Sequence, residues 1–155
     1  MNKVQIQKII AIIGIALGAV FVVSGATTYT LVQQKLSAEN ISVSEDSPRY
    51  SGKAVAGPFT AYQEASMIST HALKATGGKT YAQLDREDPL RDVAMNGSFL
   101  RASLFTSVVS FGLAAFVAGV GLMFMLFGYQ FLGWKSVSKS SSLGKKESPG
   151  IPGAF

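Results

Sequence analysis

The chain has 155 residues, only 15% of them charged, and its mean hydropathy is positive, which is the profile of a membrane protein. It contains no cysteine, which excludes disulfides, thiolate metal centres, c-type haem attachment and lipidation at Cys. The net charge of +5 lies at two chain ends beside apolar runs, not on one folded face, which disfavours a nucleic-acid binder and suits membrane topology.

The first element follows a short basic terminus, residues 1–8, with Lys3 and Lys8. No charge occurs from Ile9 to Gln34, so residues 9–34 are predicted to be a first transmembrane helix. Lys3, Lys8 and "SGA" at Ser24 to Ala26 also allow a signal peptide. The apolar run continues past that site through Tyr29, Leu31 and Val32, which favours an uncleaved helix. Gly14 and Gly18 form a G-x-x-x-G face within it.

Residues 35–101 read as a partly helical extracytoplasmic loop. Its first part, "NISVSEDSPRYSGKAVAGPF", is rich in Ser, Gly and Pro, with Ile41 and Val43 alternating as in a short strand. Thr60 and Gln63 match a capping box, which predicts a helix starting at Thr60. Ala61, Ala65, Ile68 and Ala72 share one face of that helix, and Gly77-Gly78 supplies its left-handed end. Thr80 with Gln83 opens a shorter helical turn around Tyr81 and Leu84.

Asp85, Glu87, Asp88 and Asp92 crowd the next helix start. Asp88 before Pro89 suits an N-cap followed by the first helical position, and the helix dipole favours acids there. Arg86 and Arg91 are placed to pair with the acids. The rival reading is a catalytic pair or cation site built from Glu87 or Asp88. From Pro89 one helix is expected to run into the membrane. Asn96-Gly97 is a candidate kink, and Leu90, Val93, Ala94 and Phe99 are candidates to pack on the Ala61/Ile68 face. No charge occurs from Ala102 to Trp134, so residues 102–134 are predicted to be a second transmembrane helix. That run is longer than a bilayer needs, so a tilt or a protruding end is expected. Tyr129, Phe131 and Trp134 before Lys135 form an interfacial belt with an anchoring cation. Gly112, Ala115, Gly119 and Gly121 make this span as rich in small residues as the first. The six small positions of the two spans are therefore the expected packing sites, for each other or for a partner. Residues 135–155 read as a basic, Pro/Ser-rich cytoplasmic tail.

The motifs of chemistry are weak. "GGKT" at Gly77 to Thr80 lacks the earlier glycine of a phosphate-binding loop, where Leu73 stands. His71 is the single histidine. It could ligate a metal only with a neighbour such as Glu64, two helical turns away, and reads first as a surface or interface residue. No serine sits in a G-x-S-x-G elbow. The N-x-S triplets at Asn40 and Asn96 matter only in a glycosylating host. The spans hold no ionisable side chain of the kind pumps and channels keep at midplane. No catalytic, cofactor-binding or metal residue is therefore assigned.

The expected fold is an all-α membrane protein, a two-transmembrane-helix hairpin in the plasma membrane. Lysines at both ends place both termini in the cytoplasm and the loop outside. The pattern "KAVAGPFTAY…HAL…GGKTYAQLDREDPLR…FLRASLFTSVV" at Lys53 to Tyr62, His71 to Leu73, Gly77 to Arg91 and Phe99 to Val109 resembles a family of small actinobacterial two-span membrane proteins. Members are often labelled aromatic ring-opening dioxygenase, a label that one histidine does not support. Small two-span proteins of this sort resemble accessory subunits of the cytochrome bcc–aa3 respiratory supercomplex. That resemblance implies a non-catalytic structural subunit in electron transport, without a cofactor. Its partners would be membrane lipid and larger integral-membrane subunits such as cytochrome oxidase or cytochrome b, with no nucleic acid. The alternatives are a self-associating envelope hairpin with an organising or sensing role, and an enzyme using Glu87, Asp88 or His71.

Overall fold

A computed structural model describes the backbone of residues 3–143 and the side chains of residues 4–132. The protein is all-α, with three helices: α1 (Lys3–Ala38), α2 (Pro58–Ala75) and α3 (Leu90–Leu143). A single 3₁₀ turn at Tyr81–Gln83 stands between α2 and α3. Helices α1 and α3 are both long and apolar enough to cross a membrane, and in each only 17% of the most apolar stretch is buried. Both helices overrun the charge-free stretches Ile9–Gln34 and Ala102–Trp134 that define the expected spans. The expected tail is helical at its start, because α3 continues to Leu143; its remainder lies outside the described residues.

The chain forms two compact units. One comprises the described residues up to Val23 and from Ala118; the other runs Ser24–Val117. In the first unit α1 and α3 meet backbone to backbone. A methyl group on Gly18 would lie 2.5 Å from the Gly121 carbonyl oxygen and 2.9 Å from the Met125 nitrogen. One on Gly121 would lie 2.6 Å from the Gly18 carbonyl oxygen, and one on Gly128 would lie 2.8 Å from the Ala11 carbonyl oxygen. Such distances exclude any side chain, which is why glycine occupies these positions. Phe21 and Phe124 stack edge to face beside the seam, with ring centroids 6.2 Å apart.

In the second unit α1, α2 and α3 share a core of Leu36, Val43, Val55, Ala61, Ala65, Leu104 and Phe111. Val32, Ile41, Ile68, Phe105 and Val108 pack against it. Leu104 and Phe111 belong to the charge-free run that begins at Ala102. The surplus length of that run is therefore apolar because it builds the core of this unit. Tyr29 and Phe111 meet edge to face at 4.7 Å, and Tyr62 and Phe105 at 5.7 Å.

The expected short strand is an isolated antiparallel bridge between Ser42 and Ala54. Val43 N–H donates to the Lys53 carbonyl and Val55 N–H to the Ile41 carbonyl, both at 2.8 Å. The alternation in the sequence works as read, turning Val43 and Val55 into the core. Helix α2 ends as the sequence predicts. Gly77 and Gly78 have positive φ of 62° and 83°. Gly77 N–H reaches the Lys74 carbonyl and Gly78 N–H the Leu73 carbonyl, the paired bonds of a Schellman end.

Two expectations are corrected. Helix α2 starts before Thr60, with Gly57 as N-cap and Pro58 first, because proline's fixed φ and missing N–H suit that position. Thr60 caps from the third helical position: its hydroxyl accepts from Ala56 and Gly57 N–H, each at 3.2 Å. Gln63 lies inside the helix, away from the capping position. Helix α3 continues through Asn96-Gly97, and a methyl built on Gly97 would lie 2.7 Å from the Ala72 Cβ of α2. Of the four α3 residues expected on the α2 face, Ala94 is buried, but Phe99 is 75% exposed and Leu90 and Val93 also lie open.

Candidate functional site

The six small residues of the spans divide into two faces. Gly18 is buried, and Gly121 is buried opposite it; together they make the closest approach of α1 and α3 in their unit. A methyl built on Gly14 would lie 3.8 Å from the Phe124 carbonyl oxygen, an ordinary contact distance. Gly112 and Gly119 meet nothing within 4 Å, and Ala115 is exposed. These three follow one another at steps of three and four along α3, so they share a stripe that the chain itself leaves uncovered. Exposed Val109, Leu113 and Phe116 flank that stripe. Ala11, Gly25, Ala114 and Gly128 are buried small residues outside the expected set. Their signal was a spacing of seven, in Ala11-Gly18-Gly25 and Ala114-Gly121-Gly128, the period that keeps one seam towards a partner helix. The four-residue G-x-x-x-G spacing is carried by both inner and outer faces and does not tell them apart.

Of the polar candidates of the second unit, Asp88, Glu64 and His71 are engaged in its architecture. Asp88 is a helix cap: its carboxylate accepts the Leu90 N–H at 2.9 Å, and its carbonyl accepts the Arg91 N–H at 3.0 Å. Pro89 therefore fills the position where no N–H is wanted. Arg91 does not pair with the acids. Its guanidinium donates to the Leu84 carbonyl at 2.7 Å and lies 4.1 Å from the Tyr81 ring centroid, closing the 3₁₀ turn onto α3. That turn is opened by Gln83, whose side-chain oxygen accepts from the Thr80 N–H at 2.9 Å.

Among the described residues Glu64 is the one buried acid, 6% exposed. It accepts the Ser44 N–H at 2.7 Å and the Ser44 hydroxyl at 3.1 Å, pinning the bridged loop to α2. A buried carboxylate is tolerable only with such donors. Two turns further on, His71 Nε2 meets Asp46 Oδ2 at 2.8 Å and pins the same loop again, at an exposed position. The His71 hydrogen bond holds the Asp46 carboxyl below its ordinary value of 3.8. His71 and Glu64 thus serve two different partners and do not form a ligand pair. Among the described residues no three of His, Cys, Asp and Glu gather where they could hold a metal ion. The "GGKT" stretch spends its glycine N–H groups on the end of α2, and Glu87 makes no hydrogen bond among the described residues.

Compared with known proteins, the chain matches no family model, no curated protein and no solved structure.

Proposed function

We propose that this protein is a two-span plasma-membrane protein and a non-catalytic accessory subunit of a larger membrane complex. Both termini lie in the cytoplasm and the chain between the two membrane-crossing stretches lies outside. The bilayer takes the parts of α1 and α3 that the core of that unit does not use, roughly Ile9 to Ala26 and Gly112 to Trp134. Each is about the 20 residues that a hydrocarbon core of roughly 30 Å requires. Lys8 and Lys135 mark the inner boundary.

The observation that carries the accessory role is the uncovered stripe of Gly112, Ala115 and Gly119. In lipid, helices associate by close packing at small residues, and the pairing of α1 with α3 is already supplied by Gly18, Gly121 and Gly128. A second small-residue face is then free for another helix. The engagement of Asp88, Glu64 and His71 in caps and loop clamps supports a structural role for the chain outside. The resemblance to small actinobacterial two-span proteins directs the choice of complex to the cytochrome bcc–aa3 respiratory supercomplex. There the helices would fill a groove between larger subunits, and the chain outside would cover an extracytoplasmic junction.

Gentle-detergent purification, followed by mass spectrometry of the proteins that come with the chain, tests this reading. Oxidase or cytochrome b subunits in the eluate support it. A chain that elutes only with copies of itself makes the self-associating hairpin the better account, with the same stripe as its dimer face.

A further inference from the structure

Within the Ser24–Val117 unit, α1 and α3 leave a groove of about 500 Å³ between them. That volume lies in the range of small-molecule and lipid sites. Its walls are apolar along Val32, Leu36, Ile41 and Leu104. Lys35, in the last turn of α1, and Glu39, just past its end, line the same groove. Ser103, Ser107 and Ser110 of α3 line it as well. Ser107 and Ser110 donate to backbone carbonyls one turn back, whereas the Ser103 hydroxyl makes no hydrogen bond among the described residues.

The charges are the informative feature. Among the described residues the one ion pair is Asp46–His71, so neither Lys35 nor Glu39 is satisfied by the protein. One cation and one carboxylate, four positions apart at the end of an apolar groove, complement a ligand with an alkyl body and a head bearing both signs. An anionic head would be repelled by Glu39. A quaternary ammonium could not donate a hydrogen bond to it, whereas a primary ammonium can.

We propose that the groove holds an acyl chain of one phosphatidylethanolamine, with the lipid phosphate on the Lys35 ammonium and the headgroup ammonium on the Glu39 carboxylate. Ser103 then has a lipid ester oxygen within its reach. The head sits at the end of α1, and the tail points along α1 and α3 towards their transmembrane stretches, so the groove holds a lipid drawn partly out of the outer leaflet. This rests on the reading that α1 and α3 span a membrane.

The test is native mass spectrometry of the full chain in detergent, offered equal amounts of phosphatidylethanolamine, phosphatidylglycerol and phosphatidylcholine. The wild type should retain phosphatidylethanolamine about fivefold over each of the others, the scale of one partly exposed charge pair. Glu39→Gln should lose the preference over phosphatidylcholine, and Glu39→Lys should turn the order towards phosphatidylglycerol. Unchanged helical circular dichroism shows that these exposed substitutions leave the fold intact. Equal retention of the three lipids, no retention, or an order that both substitutions leave unchanged overturns the proposal. Alkaline extraction of native membranes separates the two readings. A chain that stays embedded yet shows no headgroup preference refutes the lipid site alone, whereas a chain released by carbonate refutes the membrane reading and the lipid site together.

Discussion

Glu64 holds the bridged loop of the Ser24–Val117 unit to α2. It is buried, and it answers two donors of a single serine twenty positions away in sequence. Glu64→Ala would leave the Ser44 N–H without its acceptor at a cost of about 1–3 kcal/mol. Glu64→Gln keeps an acceptor and should cost less. Thermal unfolding in detergent, and protease nicking between Ile41 and Val55, should both rank the two variants in that order. Asp88 works differently, because its task is local. Asp88→Asn preserves the cap and should be close to neutral, while Asp88→Ala should cost about 0.5–2 kcal/mol. If the two variants are equally damaging in an otherwise intact fold, the charge itself is needed and a site at Asp88 must be reconsidered. The Asp46–His71 contact gives the Ser24–Val117 unit a pH dependence of defined sign. A carboxyl with a lowered folded-state value contributes stability above its unfolded value of 3.8 and loses that contribution as pH falls through the lower, folded one. Asp46→Asn should therefore remove part of the loss of stability between about pH 4 and the acid limit, read from midpoints measured down the acid range.

Among the elements, glycine positions decide which helix meets which. Gly18→Leu places a branched side chain against the Gly121 backbone and should separate α1 from α3, by more than the roughly 1–3 kcal/mol of ordinary overpacking, because backbone cannot move aside as a side chain does. Gly119→Leu meets open space and should leave the melting of the purified chain unchanged, within about 0.5 kcal/mol. The contrast between these variants, read by circular dichroism melts, separates the inner seam from the outer stripe. Sequence could not make that separation, because both sets carry small-x-x-x-small spacing. Only the seven-residue recurrence of Ala11, Gly18 and Gly25 marks the inner face, and it emerges once burial is known. What was legible was local: Gly77-Gly78 as a helix end, Thr80 with Gln83 as a turn, and Asp88-Pro89 as a start all act within a few residues. The Thr60 box failed because Pro58 competes for the helix start, and proline there fixes φ before any side chain acts. The Ser44–Glu64 clamp was invisible because its partners are brought together only by the fold. The apolar run from Ala102 gave no sign that its first turns belong to the core with Val43 and Val55, since core and lipid select the same side chains.

At the scale of the whole molecule, the account rests on two long apolar helices that are mostly uncovered by the chain itself. Orientation is tested with single cysteines at Ser37, Thr70 and Ser141 and a membrane-impermeant thiol reagent on intact cells. Labelling at positions 37 and 70 alone is expected, and labelling at 141 alone would invert the topology. Whether the stripe of Gly112, Ala115 and Gly119 seats the chain in a larger membrane complex is read from co-purification of wild type and Gly119→Leu from native membranes. Wild type is expected to bring down oxidase or cytochrome b subunits, whereas Gly119→Leu is expected to stay in the membrane, melt as wild type does and come down without them. Wild type eluting free of any respiratory subunit, or Gly119→Leu retaining the full set, would contradict it.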